Sequence, residues 1–195
     1  MRRVVVLFLV TASVLVWALP AGAATVSVSI VDFAFSPSGV KAAMGSTVTW
    51  TNNGTVNHTS TQDSPLALWT TGPIAPGASS STTLTAAGTY TYHCAIHTFM
   101  TGKVKVPVAV SPTSGTIATT FTITLATVAA PSGFVYDVQM KTGTGSFVKF
   151  KNGLTTASMT FHPAAIGTYA FRSRLRNVTT GAASAYSPAK SITVT

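Results

Sequence analysis

Cys94, His97 and Met100 stand at i, i+3 and i+6 in the run Tyr92-His93-Cys94-Ala95-Ile96-His97-Thr98-Phe99-Met100, and Cys94 is the only cysteine in the chain. That run offers a thiolate, an imidazole and a thioether. A second imidazole, His58, lies upstream in an Asn-rich turn. Together the four donors match a trigonal His₂Cys copper site with a weak axial Met. Copper(II) favours a tetragonal array and copper(I) a trigonal or tetrahedral one, so a protein that fixes an intermediate geometry lets the ion change oxidation state with little rearrangement. Three donors come from one loop, and His58 must arrive from another to close the site.

Each residue has a plainer reading. A lone Cys is often a small buried hydrophobe, and Phe99 and Met100 would suit an ordinary core. The joint pattern favours the metal. A single cysteine rules out an intramolecular disulfide and leaves a free thiol, an intermolecular bond or a metal ligand. Charged residues make up 8% of the chain, there is no glutamate, and the only acids are Asp32, Asp63 and Asp137. Chemistry that needs paired carboxylates is nearly excluded by that count. Phosphate-binding glycine loops, nucleophile elbows and zinc-type Cys/His pairings are absent from the sequence. The remaining histidines, His93 and His162, are too few for the additional copper sites of a copper oxidase or reductase, so no enzyme is expected.

The elements that must position these donors are strands. Val26, Val28 and Ile30 alternate with Ser27, Ser29 and Val31, and Val48 and Trp50 alternate with threonines. This is the period of a half-buried strand. Tyr90, Tyr92 and Cys94 share one face, which turns the Cys94 sulfur inward at a strand end and removes His93 from the ligand set. The alternation resumes after the turn residues near Pro107 to Pro112, through Phe121, Ile123 and Leu125, then Tyr136, Val138 and Met140, then Tyr169 and Phe171. The expected fold is all-β: a Greek-key β-sandwich over 24–108 and a second β-sandwich over 109–195. Both halves carry Gly-Thr-Tyr at a strand entrance (Gly88-Thr89-Tyr90 and Gly167-Thr168-Tyr169), where a Tyr often ties a sandwich corner to nearby backbone.

Met1-Arg2-Arg3, the apolar run Val4 to Leu19 and Pro20-Ala21-Gly22-Ala23-Ala24 have the parts of a secretory signal peptide over 1–23. Export to an extracytoplasmic location is therefore expected, with no transmembrane segment in the mature chain. Positive charge gathers in the second half. Seven cations there (Lys141, Lys149, Lys151, Arg172, Arg174, Arg176 and Lys190) face one acid, Asp137, a balance of +6 against +1 for residues 24–109. Arg172, Arg174 and Arg176 share parity and project from one face with Lys141 nearby. This face suits an anionic cell-surface polymer rather than nucleic acid, set against the plainer reading of a solvated face that keeps the protein soluble.

The motifs Asp32-Phe33-Ala34-Phe35-Ser36-Pro37, Gly45-Ser46-Thr47-Val48-Thr49-Trp50-Thr51-Asn52, Ala75-Pro76-Gly77 and Gly88-Thr89-Tyr90-Thr91-Tyr92-His93-Cys94 make residues 25–106 resemble a cupredoxin of the plastocyanin and amicyanin type. The loop from Cys94 to Met100, continuing into Gly102-Lys103-Val104, is similar to amicyanin's short ligand loop. The resemblance implies one type 1 copper ion held by His58, Cys94, His97 and Met100. It implies that Asn52 helps join the two ligand loops and that the Thr59 N–H reaches the Cys94 sulfur. It further implies that His97 lies near the surface inside an apolar rim, with Ile96, Phe99, Leu66, Leu68 and Trp69 as candidates and a redox protein as partner; Leu66, Leu68 and Trp69 read equally well as core, since no period places their loop. Ile96 and Thr98 stand where amicyanin-like loops usually carry proline, which bears on potential and affinity. Residues 110–195 resemble a fibronectin type III domain through Gly167 to Arg174 and Ser184-Ala185-Tyr186-Ser187-Pro188, without the tryptophan usual in the second strand. Single-electron transfer is the leading expectation. The alternatives are copper buffering and a surface-adhesion module without a dedicated redox partner.

Overall fold

Alternating apolar and hydroxyl-bearing residues set a two-residue period, and the computed structural model, which describes residues 24–63 and 66–195, turns that period into sheets. The strands are β1 (Thr25–Val31), β2 (Ala34–Ser36), β3 (Gly39–Lys41), β4 (Thr47–Asn52), β5 (Thr61–Gln62), β6 (Ser79–Thr83), β7 (Gly88–His93) and β8 (Thr101–Val106). They form one sheet in the order β2-β1-β4-β6 and another in the order β3-β8-β7-β5. Pairing is mixed: β1 runs parallel to β4, and β3 parallel to β8. Further along are β9 (Ala109–Ser111), β10 (Ser114–Gly115), β11 (Phe121–Thr124), β12 (Phe134–Thr142), β13 (Val148–Leu154), β14 (Ser158–Phe161), β15 (Gly167–Asn177) and β16 (Lys190–Val194). These make a sheet β10-β16-β15-β12-β13 and a sheet β14-β11-β9. The fold is all-β, and the described residues contain no helix. The proposed signal segment, 1–23, lies outside the described residues.

Each pair of sheets closes over its own apolar cluster. Val28, Ile30, Val48, Trp50, Tyr90, Tyr92, Cys94, Val104 and Val106 fill the first. Trp50 stacks on Trp69 at 5.9 Å and meets Tyr92 edge to face at 5.4 Å. Phe121, Ile123, Tyr136, Val138, Phe171 and Ile192 fill the second. The Gly-Thr-Tyr tyrosines behave alike in both halves. Tyr90 Oη donates to the Ala86 carbonyl at 2.9 Å and Tyr169 Oη to that of Ala165 at 2.8 Å, so each strand entrance is tied to backbone four residues back.

Main-chain bonds join the halves. Thr89 and Ala185 exchange N–H···O bonds of 2.9 and 3.2 Å, Ala87 N–H donates to Leu125 and Thr127 N–H to Thr85, both at 2.8 Å. Thr89 Oγ1 also donates to the Tyr186 carbonyl. All of these engage the start of β7 or the residues just before it. The Cys94 loop lies at the other end of β7, six residues and roughly 20 Å away.

Candidate metal centre

β7 delivers Cys94. Tyr90, Tyr92 and Cys94 are all buried on one face, and the sulfur is fully enclosed where the strand ends. The turn that follows is closed by its own backbone: Cys94 N–H donates to the Met100 carbonyl at 3.1 Å and Met100 N–H to that of His97 at 2.9 Å. Met100 is buried in the same cluster as Cys94, while His97 keeps an edge toward solvent.

His58 comes from the loop after β4. It exchanges backbone hydrogen bonds with Ile74 at 2.7 and 3.2 Å, and its side chain is fully buried. Asn52 shapes this loop. Its amide donates to the Val56 and Ile74 carbonyls, both at 2.8 Å, and its Oδ1 accepts from Gly54 N–H. Asn52 therefore braces the His58 loop against the Ile74 segment and does not reach the Cys94 loop. Joining the two ligand loops falls to Thr59: its N–H donates to Cys94 Sγ at 3.3 Å and its Oγ1 accepts from Ala95 N–H at 2.7 Å.

Three donor atoms converge. Cys94 Sγ lies 3.8 Å from His58 Nδ1 and 3.8 Å from His97 Nδ1, and the two Nδ1 atoms are 3.2 Å apart. Those contacts are too long for good hydrogen bonds to sulfur and, between two imidazole nitrogens, of the wrong kind for both to be donors. A point equidistant from the three atoms lies roughly 2.1 Å from each, close to the bonds of ~2.0–2.1 Å to nitrogen and ~2.3 Å to sulfur that a first-row ion makes. Among the described residues this trio is the one group of three or more His, Cys, Asp or Glu side chains so gathered. One thiolate and two imidazoles near a buried thioether is a soft set, suited to copper rather than to a closed four-coordinate zinc site.

The electrostatics favour a ligating thiolate. Burial alone would raise the Cys94 pKa, but N–H groups of Thr59 and His97, then the His58 imidazole, bring it down from 9.0 to about 6. Burial opposes charge on His58 as well, yet the carboxylate of Asp32 and the sulfur of Cys94 hold its pKa above the usual value. Asp32 Oδ1 sits 3.0 Å from His58 Nε2. The carboxyl pKa of Asp32 is held far below the ordinary range, first by His58 and then by Thr55.

Around His97 the surface is apolar. Ile96 is 49% exposed and Phe99 72%, and Phe33 packs edge-on against the His97 ring at 4.8 Å while itself 48% exposed. Trp69 does not join this rim. It is buried, stacked on Trp50, with Nε1–H donated to Ser60 Oγ, because Gln62 and Trp69 pair through backbone and fold its loop inward. Asp32 and Phe33 are site residues that spacing arguments pass over. The scarcity of acids is the signal that singles out Asp32. His93 stands outside the trio, its Nδ1 bonded to Asp63 at 2.6 Å.

On the second half, strand register puts Arg174 opposite Asp137 and Arg172 opposite Gln139. Asp137 is fully buried and accepts from both Arg174 and Arg176. Arg172 is held by Gln139 and lies between the rings of Phe147 (4.1 Å) and Tyr186 (4.8 Å), with Lys141 on Phe147. The three arginines are thus partly satisfied within the fold rather than free.

The chain matches the family model of the cupredoxin-like domain over residues 4–106, more than half its length. Among solved structures it is similar to a purple cupredoxin from Nitrosopumilus maritimus, at 25% identity and a TM-score of 0.39, covering 41% of this chain and 97% of that one. It is similar to a copper-containing nitrite reductase (NirK) from Thermus scotoductus SA-01, at 24% identity and 0.39, covering 49% and 24%. A Cu(I) form of an amicyanin mutant shares 32% identity at 0.38, covering 45% and 85%. No curated protein matches. The family match spans both ligand loops, and the His58, Cys94 and His97 donors within it converge at the spacing a single copper ion needs: the chain belongs to the cupredoxin-like domain family.

Proposed function

We propose that the protein is an exported type 1 copper protein that carries single electrons between partner proteins, with His58, Cys94, His97 and Met100 as its ligands. The observation that carries this reading is the triangle of Sγ and two Nδ1 atoms with one imidazole, that of His97, set in an exposed apolar rim. When bound, copper supplies a one-electron Cu(I)/Cu(II) couple. The chain's own part is to hold the donors still. Thr59 and His97 N–H groups fix the sulfur, the Cys94 to Met100 turn is closed by two backbone bonds, and the His58 loop is fixed by Asn52. Donors placed by bonds to protein need little rearrangement when charge changes. Phe33, Ile96 and Phe99 offer a partner an apolar contact that excludes water around His97 without strong binding. We read the protein as a carrier rather than an enzyme, on the strength of one donor trio set beneath an exposed apolar rim.

We read residues 109–195 as a fibronectin III-like unit that adheres to an anionic surface polymer. Lys141, Lys149, Lys151 and three arginines lie on neighbouring strands β12, β13 and β15, with Asp137 as the single acid among them. One carboxylate shared by two guanidiniums leaves positive charge over. Retention on anionic beads that falls as salt rises supports this; retention unaffected by salt, or none, contradicts it.

Electron transfer is tested by voltammetry of the copper-loaded chain. A reversible one-electron wave is expected, and copper bound without any reversible wave would favour buffering instead.

A further inference from the structure

Asp32 is one of three acids in the chain, and it sits against a residue of the donor trio. It lies in the turn between β1 and β2, away from both ligand loops in sequence. Its Oδ1 is 3.0 Å from His58 Nε2, and its Oδ2 accepts from Thr55 N–H at 2.7 Å and Thr55 Oγ1 at 2.6 Å. Gly54 makes room for it, because a Cβ there would overlap Asp32 Oδ1. The carboxylate is therefore fixed on both oxygens while its side chain is only 22% exposed, and the imidazole it holds is fully buried. Among the described residues His97 has no such carboxylate partner; its ring is faced by Phe33.

An imidazole has two nitrogens, and the bond made by one decides what the other can do. With Nε2–H given to Asp32, the lone pair of His58 is left on Nδ1, the atom that faces Cys94 and His97. A carboxylate hydrogen-bonded to a ligand imidazole makes it a stronger donor, and its negative charge favours the more positive state of the ion. We propose that Asp32 is a positioning residue that locks His58 with Nδ1 toward the metal and holds the potential of the centre down. This rests on the copper reading above and adds to it a residue that touches no metal.

The experiment compares copper-loaded full-length wild type, Asp32→Asn and Thr55→Ala in a redox titration, with visible and electron paramagnetic resonance spectra and thermal melts of each. At the wild-type midpoint, Asp32→Asn lowers the Cu(II)/Cu(I) ratio at least ~10-fold, a rise of about 59 mV for one electron. Its Cu(II) affinity falls about 10–100-fold. Thr55→Ala removes a hydrogen bond from the carboxylate but keeps the charge, which concentrates on His58, so its ratio moves toward Cu(II). Mere loosening of the loop would move both variants the same way. An unshifted Asp32→Asn, or a Thr55→Ala shift toward Cu(I), overturns the proposal while copper binding stands. If Asp32→Asn holds no copper, Thr55→Ala decides alone: a shift toward Cu(II) supports the proposal, and no shift or the opposite overturns it. A wild type without a thiolate-to-copper band overturns the copper reading itself.

Discussion

Cys94 ligates only as a thiolate, and its surroundings supply what a buried thiolate needs: two backbone N–H groups and an imidazole. Thr59 does two jobs at that sulfur, through its own N–H and through the Oγ1 that receives Ala95 N–H. Thr59→Val keeps the first and loses the second, leaving a partly buried N–H without a partner. A loss of about 1–3 kcal/mol in chemical denaturation is expected. Met100→Leu removes the thioether and keeps the apolar volume; the copper protein should stay coloured and become easier to reduce, as read by redox titration. At this scale the sequence is informative about donor types. Spacing and strand parity identify Cys94, His97 and Met100 and dismiss His93. The Asp32 to His58 bond is not legible there, because it joins two turns 26 residues apart whose meeting depends on β1 pairing in parallel with β4.

At the scale of elements, the centre depends on how tightly β7 and β8 pair. Gly102 on β8 lies opposite Tyr92, and a Cβ there would enter the Tyr92 ring. Tyr92 is fully buried between Phe35 and Trp50, so it has little space to retreat. Gly102→Ala should cost about 1–3 kcal/mol by overpacking, with weaker copper retention, since Tyr92 precedes Cys94 on the same strand face. Alternation of apolar and polar residues is enough to read β7 from the sequence. The 66–74 segment has no period, and its inward fold comes from bridges of His58 to Ile74 and Thr61 to Thr70 that no local signal announces. That is why the sequence leaves Trp69 open between rim and core, and the structure puts it in the core.

Over the whole molecule, the basic sheet and the donor trio are kept at a distance. β7 spans the first half from the junction, where Thr89 meets Ala185, to the Cys94 loop, and the basic sheet lies beyond the junction. The crowding of cations in the second half is plain from composition, but not that Asp137 is fully buried and binds two of them. Removing that acid strands Arg174 and Arg176 against each other. Asp137→Ala should lose about 3 kcal/mol, discounted from the range for fully buried pairs because both guanidiniums keep some exposure. Burial opposes ionisation of Asp137, but Arg176, Gly153 N–H and Arg174 more than offset it and depress its pKa. A carboxyl depressed on folding adds stability that is complete above its unfolded pKa of ~3.9 and lost as pH falls through the folded value. The melting temperature of wild type should therefore drop below about pH 4, and Asp137→Ala should flatten that drop.

The central claim is that Cys94, His58 and His97 hold one copper ion through a thiolate bond. Adding Cu(II) to the purified full-length chain and recording the visible spectrum tests it most directly. An intense thiolate-to-copper absorption that saturates at one ion per chain and is missing in Cys94→Ser is the predicted result; a colourless wild type, or a Cys94→Ser protein with the same colour, would contradict it.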